Sequence, residues 1–155
     1  MKPIPNPYGA GHCFFCGQLN PIGLKLVFHE TQTEPGEVIS RWKASPMFAG
    51  LGRILHGGIQ SGLFDEIMGW ATHHFSRQSG VTTALHVQFV RPVYVDQEIE
   101  VRCRIESQEG SKIHLAAEIR NESVKVCARA NGTYLLMEQK KFDRLIEPTV
   151  SIQSS

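Results

Sequence analysis

His56-Gly-Gly-Ile-Gln-Ser-Gly-Leu-Phe-Asp-Glu-Ile-Met-Gly-Trp-Ala-Thr-His-His-Phe75 reads as one largely apolar helix, opened by two glycines and carrying adjacent carboxylates, Asp65 and Glu66, at its middle. At about 100° per residue, Ile59, Leu63, Ile67 and Trp70 share one side, and Phe64, Met68, Ala71 and Phe75 share another. Apolar rows therefore cover most of the circumference, and such a helix must be enclosed rather than laid on a surface. Asp65 falls in the gap between the rows, beside Gly62 and Gly69 and near Ser61 and Thr72, while Glu66 points into the row of Ile59 and Trp70. The two small residues predict that a ligand or another backbone approaches Asp65 closely. A carboxylate in apolar surroundings costs several kcal/mol unless it is paired or protonated, so its placement there points to use.

The flanking sequence supplies the enclosure. Leu24, Leu26 and Phe28 alternate with Lys25 and Val27, and Val38, Ser40 and Trp42 alternate with Ile39, Arg41 and Lys43, predicting a hairpin around Glu34-Pro35-Gly36-Glu37. After the helix, strands are expected over Val81 to Val90 and Glu98 to Glu106. Ile113 to Ile119 and Val124 to Ala130 continue the period of two, separated by turns too short for parallel crossovers. The class is α+β, with a curved antiparallel sheet wrapped around one long central helix. A single domain is expected over 1–140, with a Pro/Gly-rich start and a loosely held polar tail over 141–155.

Sixteen basic and fifteen acidic residues in 155 leave a net charge of +1 without long blocks of either sign, which gives no footprint for nucleic acid. No apolar run approaches the roughly eighteen residues of a membrane span, and the start lacks a signal-peptide core, so the protein is expected to be cytoplasmic. Cysteines stand at 13, 16, 103 and 127 and read as reduced thiols. Cys13 and Cys16, with His12, offer three metal ligands, but a structural zinc site wants a fourth and no second close pair exists; neither metal nor cofactor is assigned. Cys103 falls among Ile99, Val101 and Ile105 as a small hydrophobe.

Four segments, in order, then carry a resemblance: Cys-Phe-Phe-Cys-Gly-Gln-Leu-Asn-Pro-Ile-Gly-Leu-Lys-Leu (13–26), His56-Gly57-Gly58 with Asp65 beyond it, Met68-Gly69-Trp70-Ala71, and Val87-Gln88-Phe89-Val90-Arg91-Pro92-Val93. Together they resemble the hotdog-fold acyl-CoA thioesterases of the PaaI (phenylacetate-pathway) type. The resemblance implies edge-to-edge pairing of two protomers, as a homodimer or dimer of dimers. It implies Asp65 as nucleophile or general base, the Gly57 amide as oxyanion donor with His56 beside it, and Thr82, or its neighbour Thr83, holding the attacking water. Asp65 of one chain would then face the His56-Gly57 corner of the other.

The chemistry has its own logic. Thioester hydrolysis places negative charge on the carbonyl oxygen, and one preorganised N–H aimed at it is worth roughly 3 kcal/mol. Gly57 or Gly58, at a helix N-terminus, can supply that N–H. Glu66 reads chiefly as structural, though close enough to touch substrate, and Arg53 and Arg91 as solvated cations able to meet CoA phosphates. Phe64, Trp70, Phe75 and Phe89 are candidates for an acyl pocket. His73, His74, His86 and His114 have no predicted partner. A non-hydrolytic acyl-CoA binder on the same scaffold is the alternative; a dehydratase or hydratase lacks its expected motifs.

Overall fold

Residues 1–147 are described by the computed structural model; of the expected tail, 148–155 lie outside the described residues. The central element is α1, Gly57–Ser76. Its start is fixed by His56, whose ring Nδ1 accepts from the Gly58 amide at 2.8 Å, doing the work usually done by a Ser or Asp oxygen. Its end is fixed by Arg77, which turns into the left-handed region at φ 61. Between them Leu63, Phe64, Ile67, Met68 and Ala71 are buried and Ile59 and Trp70 half-buried, so the middle of both apolar rows is enclosed, while Phe75 at the far end is exposed.

Seven antiparallel strands do the enclosing. They are β1 (Lys2–Pro3), β2 (His29–Glu30), β3 (Val38–Lys43), β4 (Gly80–Phe89), β5 (Glu98–Glu109), β6 (Lys112–Arg120) and β7 (Val126–Leu136), in the order β1-β2-β3-β5-β6-β7-β4. Helix α1 packs across β3 to β7. The alternation in β5 and β6 comes out as read: Ile99, Val101 and Cys103, then Ile113, Leu115, Ala117 and Ile119, face the helix. In β7 the buried register is Ala128, Ala130, Gly132, Tyr134 and Leu136.

The structure departs from expectation in three places. Leu24, Leu26 and Phe28 are buried and Lys25 and Val27 exposed, as alternation demands, but only His29–Glu30 is a strand. Lys25 sits at φ 53, which breaks the extended run, and Leu24 and Leu26 instead donate to the carbonyls of Phe14 and Phe15. The last strand begins at Val126 rather than Val124, because Val124, at φ 62, belongs to the turn. Finally, among the described residues of the two ends, Ile4 donates to Phe28 O, and Gln139–Ile146 forms a second helix, α2, anchored by buried Phe142 against Tyr8. The N-terminal segment and α2 thus build one wall over the C-terminal half of α1.

One edge of the sheet is unusual. β4 is ten residues long and, among the described residues, pairs only with β7, and none of its residues is buried. Phe89 and Val90, at its end, are exposed apolar groups. Long unprotected edges of this kind template pairing with another strand.

Candidate functional site

Asp65 emerges on the side of α1 that faces β4 and β7. Thr82 Oγ1 donates to Asp65 Oδ1 across this gap. The pairing register slips between Thr82 and Ala84, and this bulge separates Thr82, the position the resemblance implies, from its neighbour Thr83. Thr82 is turned to the carboxylate, whereas Thr83 Oγ1 donates to the Thr133 carbonyl at 3.2 Å.

Tyr134 completes the group and was not anticipated. Its hydroxyl donates to the Asp65 carbonyl at 2.8 Å and lies 3.5 Å from Asp65 Oδ1. Burial, and after it the Asp65 charge, pushes the Tyr134 hydroxyl well above its ordinary range, so it stays protonated and donates. The sequence carries a signal for it, since Tyr134 continues the alternation of Ala128 and Ala130. Gly69 makes the room: a Cβ there would stand 2.9 Å from the Tyr134 oxygen. At Gly62 a Cβ would overlap the Phe15 ring at 2.0 Å. The two glycines are therefore filled by the chain's own aromatics, not left open beside Asp65.

Glu66 turns the other way. It accepts from Trp70 Nε1 at 3.1 Å, and Cys13 Sγ lies 3.6 Å from both its oxygens. Asp65, Glu66, Cys13, Cys16, Trp70 and Tyr134 help line a cavity of about 240 Å³, roofed by Tyr8 and Phe142. His73 abuts it, its ring 5.7 Å from that of Tyr8, with burial, then Arg77 and His74, lowering its pKa.

The helix start forms a second locus. The Gly58 amide is taken by the His56 ring, while Gly57 has no acceptor for its amide among the described residues. Gly57 opens onto a groove shared with Gln60, Phe89, Arg91 and Pro92. Arg91 is held there by donation to the Val126 carbonyl at 2.7 Å, whereas Arg53 pairs with Asp96 at 2.9 Å. Of the four aromatics considered for an acyl pocket, Phe64 is fully buried and Phe75 lies near Gly36 at the far end of α1. Trp70 stacks on Phe28 yet reaches the cavity, and Phe89 flanks Gly57. His74 pairs with Glu30 at 2.8 Å.

A chemical constraint follows from the spacing. Gly57 and Asp65 are separated by about 12 Å along one helix, at 1.5 Å per residue, so a single chain does not present both to one carbonyl carbon. The two loci offer different groups: a hydrogen-bonded carboxylate at one, a free amide at a helix N-terminus at the other.

Comparison with known proteins places this geometry in a family. A model of the thioesterase superfamily matches residues 52–128, about half of the chain. Over 121 residues the chain is 22% identical to acyl-coenzyme A thioesterase THEM4 of Bos taurus, covering 77% of this chain; it spans about half (49%) of the length of that relative. Among solved structures, a thioesterase superfamily protein aligns with TM-score 0.71 at 21% identity, over 80% of this chain and 63% of its own. The PaaI protein of the E. coli phenylacetic acid degradation operon aligns with TM-score 0.64 at 18% identity, over 72% and 80%. A Streptococcus mutans protein bound to acetyl CoA also aligns with TM-score 0.64 at 18% identity, over 78% and 97%. At these identities the structural likenesses speak for the fold. Among the described residues no helix is long and apolar enough to cross a membrane.

Proposed function

We propose that this chain, which belongs to the thioesterase superfamily and has its hotdog fold, hydrolyses an acyl-CoA to the free carboxylic acid and CoA, using sites shared between two copies. The observation that carries the reading is the Thr82 hydroxyl donating to the Asp65 carboxylate. That bond leaves Asp65 Oδ2 and the Thr82 lone pairs side by side, a seat for one water. Asp65 is the general base: it takes a proton as the water oxygen attacks the thioester carbon, and the oxyanion is received by the Gly57 amide of the second copy. Collapse expels the CoA sulfur, and the proton held by Asp65 passes to it. His56 orients the helix start, and Arg91, beside Gly57, is placed to meet a CoA phosphate.

The exposed β4 edge supports a homodimer, or a dimer of dimers, as the assembly that brings the two loci together. The name of the Bos taurus relative and the acetyl CoA in the Streptococcus mutans structure support an acyl-CoA substrate. The test is release of free thiol, followed with a thiol-reactive dye over aromatic and aliphatic acyl-CoAs. Turnover on one class supports the reading. Saturable acyl-CoA binding with no thiol released would instead make the protein a non-hydrolytic binder.

A further inference from the structure

A group of side chains with no part in that reaction shares the cavity with Asp65. Cys13 Sγ, Cys16 Sγ and a Glu66 carboxylate oxygen all fall within 4.8 Å of one another. Glu66, fifty residues beyond Cys16, takes the third place that the sequence offered to His12, and His12 is not part of the group.

The distances suit a metal. With Zn–S near 2.3 Å and Zn–O near 2.1 Å, two ligands on a tetrahedral zinc stand about 3.6 Å apart. That is the Cys13 Sγ to Glu66 separation on both oxygens. The surroundings are also those of ligated thiolates. The Cys16 amide donates to Cys13 Sγ at 3.4 Å, and Asn6 Nδ2 approaches Cys16 Sγ at 3.9 Å. Trp70 Nε1 fixes the Glu66 carboxylate. Behind the pair, Gly17 closes the loop so tightly that a Cβ would lie 2.4 to 2.6 Å from backbone atoms of Gly11 and Cys13.

We propose that Cys13, Cys16 and Glu66 bind one thiophilic divalent cation of the Zn²⁺ class, with the fourth coordination position facing the cavity beside Asp65. Two thiolates select zinc over magnesium or calcium. Binding releases the two thiol protons to solvent and ties the N-terminal loop to α1 one residue from the carboxylate of the hydrolytic site. The proposal does not rest on the hydrolase reading, because metal is counted without substrate.

The test uses the full untagged chain, reduced with a phosphine and desalted, then titrated with Zn²⁺ against a chromogenic chelator and with Co²⁺ by absorption. Expected are about one equivalent of metal per chain and, for Co²⁺, thiolate charge-transfer bands with tetrahedral d–d absorption. Cys13→Ser, at an exposed position, loses the charge-transfer intensity of one sulfur. Glu66→Gln keeps the thiolate bands but weakens binding by roughly tenfold or more, since even outer-shell changes cost 10–100-fold. A wild-type chain that takes up no zinc, or a Glu66→Gln chain with unchanged affinity, overturns the three-ligand site. So does a Cys13–Cys16 disulfide that re-forms in place of metal uptake.

Discussion

Gly57 and Asp65 stand on the same helix about 12 Å apart, one with a free amide and the other with a hydroxyl bonded to its carboxylate. If one site is built from Gly57 of one copy and Asp65 of another, damage to the two residues complements. Gly57→Pro is the informative substitution. Proline is favoured at the first helical position, and His56 already has the extended backbone a following proline requires, so the change removes the N–H while sparing the helix. The expected loss in kcat is roughly 10²–10³-fold. Refolded together one to one, Gly57→Pro and Asp65→Asn chains recover about a quarter of wild-type activity, since half the dimers are mixed and each has one intact site. No recovery would place both groups in one chain's site and sink the shared arrangement.

Asp65→Asn keeps the shape and the acceptor for Thr82 but removes the carboxylate charge, and with it the proposed base. Turnover falls roughly 10²–10⁴-fold with acyl-CoA binding retained, read by steady-state kinetics beside isothermal titration. Single turnover in ¹⁸O-water tests for a nucleophile: a general base puts the label in the released acid on the first turnover, whereas an Asp65 anhydride opened by water at the Asp65 carbonyl leaves it first in Asp65. Near-normal activity in Asp65→Asn with an inactive Glu66→Gln would move the assignment by one residue.

The bulge in β4 makes a prediction about neighbours. Thr82→Val removes a hydroxyl bonded to a charged group, a bond worth about 1.5–3 kcal/mol, and lowers kcat roughly 10–100-fold; Thr82→Ser retains most activity. Thr83→Val, whose hydroxyl reaches only the Thr133 carbonyl, stays within about twofold. Equal effects at both positions would mean that the hydroxyl at 82 does not hold the water.

How much of this was legible beforehand depends on the range of the interaction. The enclosed helix and the β5, β6 and β7 ladders follow from periodicity, because which face is apolar is a local property. The resemblance fixes Thr82 only to within one residue, since one unpaired residue in a strand changes which side chain faces inward and leaves no mark on composition. Lys25 interrupts a cleanly alternating run for a similar reason: its φ is set by the contacts of Leu24 and Leu26 with residues 14 and 15. Glu66 with Cys13, and Gly69 with Tyr134, are long-range pairs, and a single sequence shows the vacancy at each glycine without naming its occupant. The order in the chain's ends comes from Phe142 and Tyr8, two aromatics in otherwise polar or Pro/Gly-rich segments.

The fit between Gly69 and Tyr134 is testable as a coupling. Tyr134→Phe loses one hydrogen bond to the Asp65 carbonyl and costs about 0.5–1.5 kcal/mol in chemical denaturation. Gly69→Ala should by helix propensity gain about 1 kcal/mol, yet its Cβ meets the Tyr134 oxygen at 2.9 Å, so it destabilises. In the double variant that oxygen is gone and the next ring atom, Cζ at 3.6 Å, makes ordinary contact, so the alanine now stabilises. Additive effects would show that the tyrosine hydroxyl is not what Gly69 accommodates.

His73 gives the fold an acid-sensitive point. Burial, then the charges of Arg77 and His74, lowers its pKa below 6.5, and the ring packs beside Tyr8 at the wall made by the N-terminal segment. The folded chain therefore binds fewer protons at this site than the unfolded chain does once pH drops below 6.5, and by linkage stability falls with pH there. The contribution is fully present above pH 6.5, declines as pH drops through the unfolded value, and levels off below the folded one. His73→Gln removes this component. Thermal midpoints measured from pH 8 to pH 5 should decline less steeply in the variant than in the wild type, with the curves diverging below about pH 6.5. Parallel curves would show that His73 keeps the same proton affinity folded and unfolded.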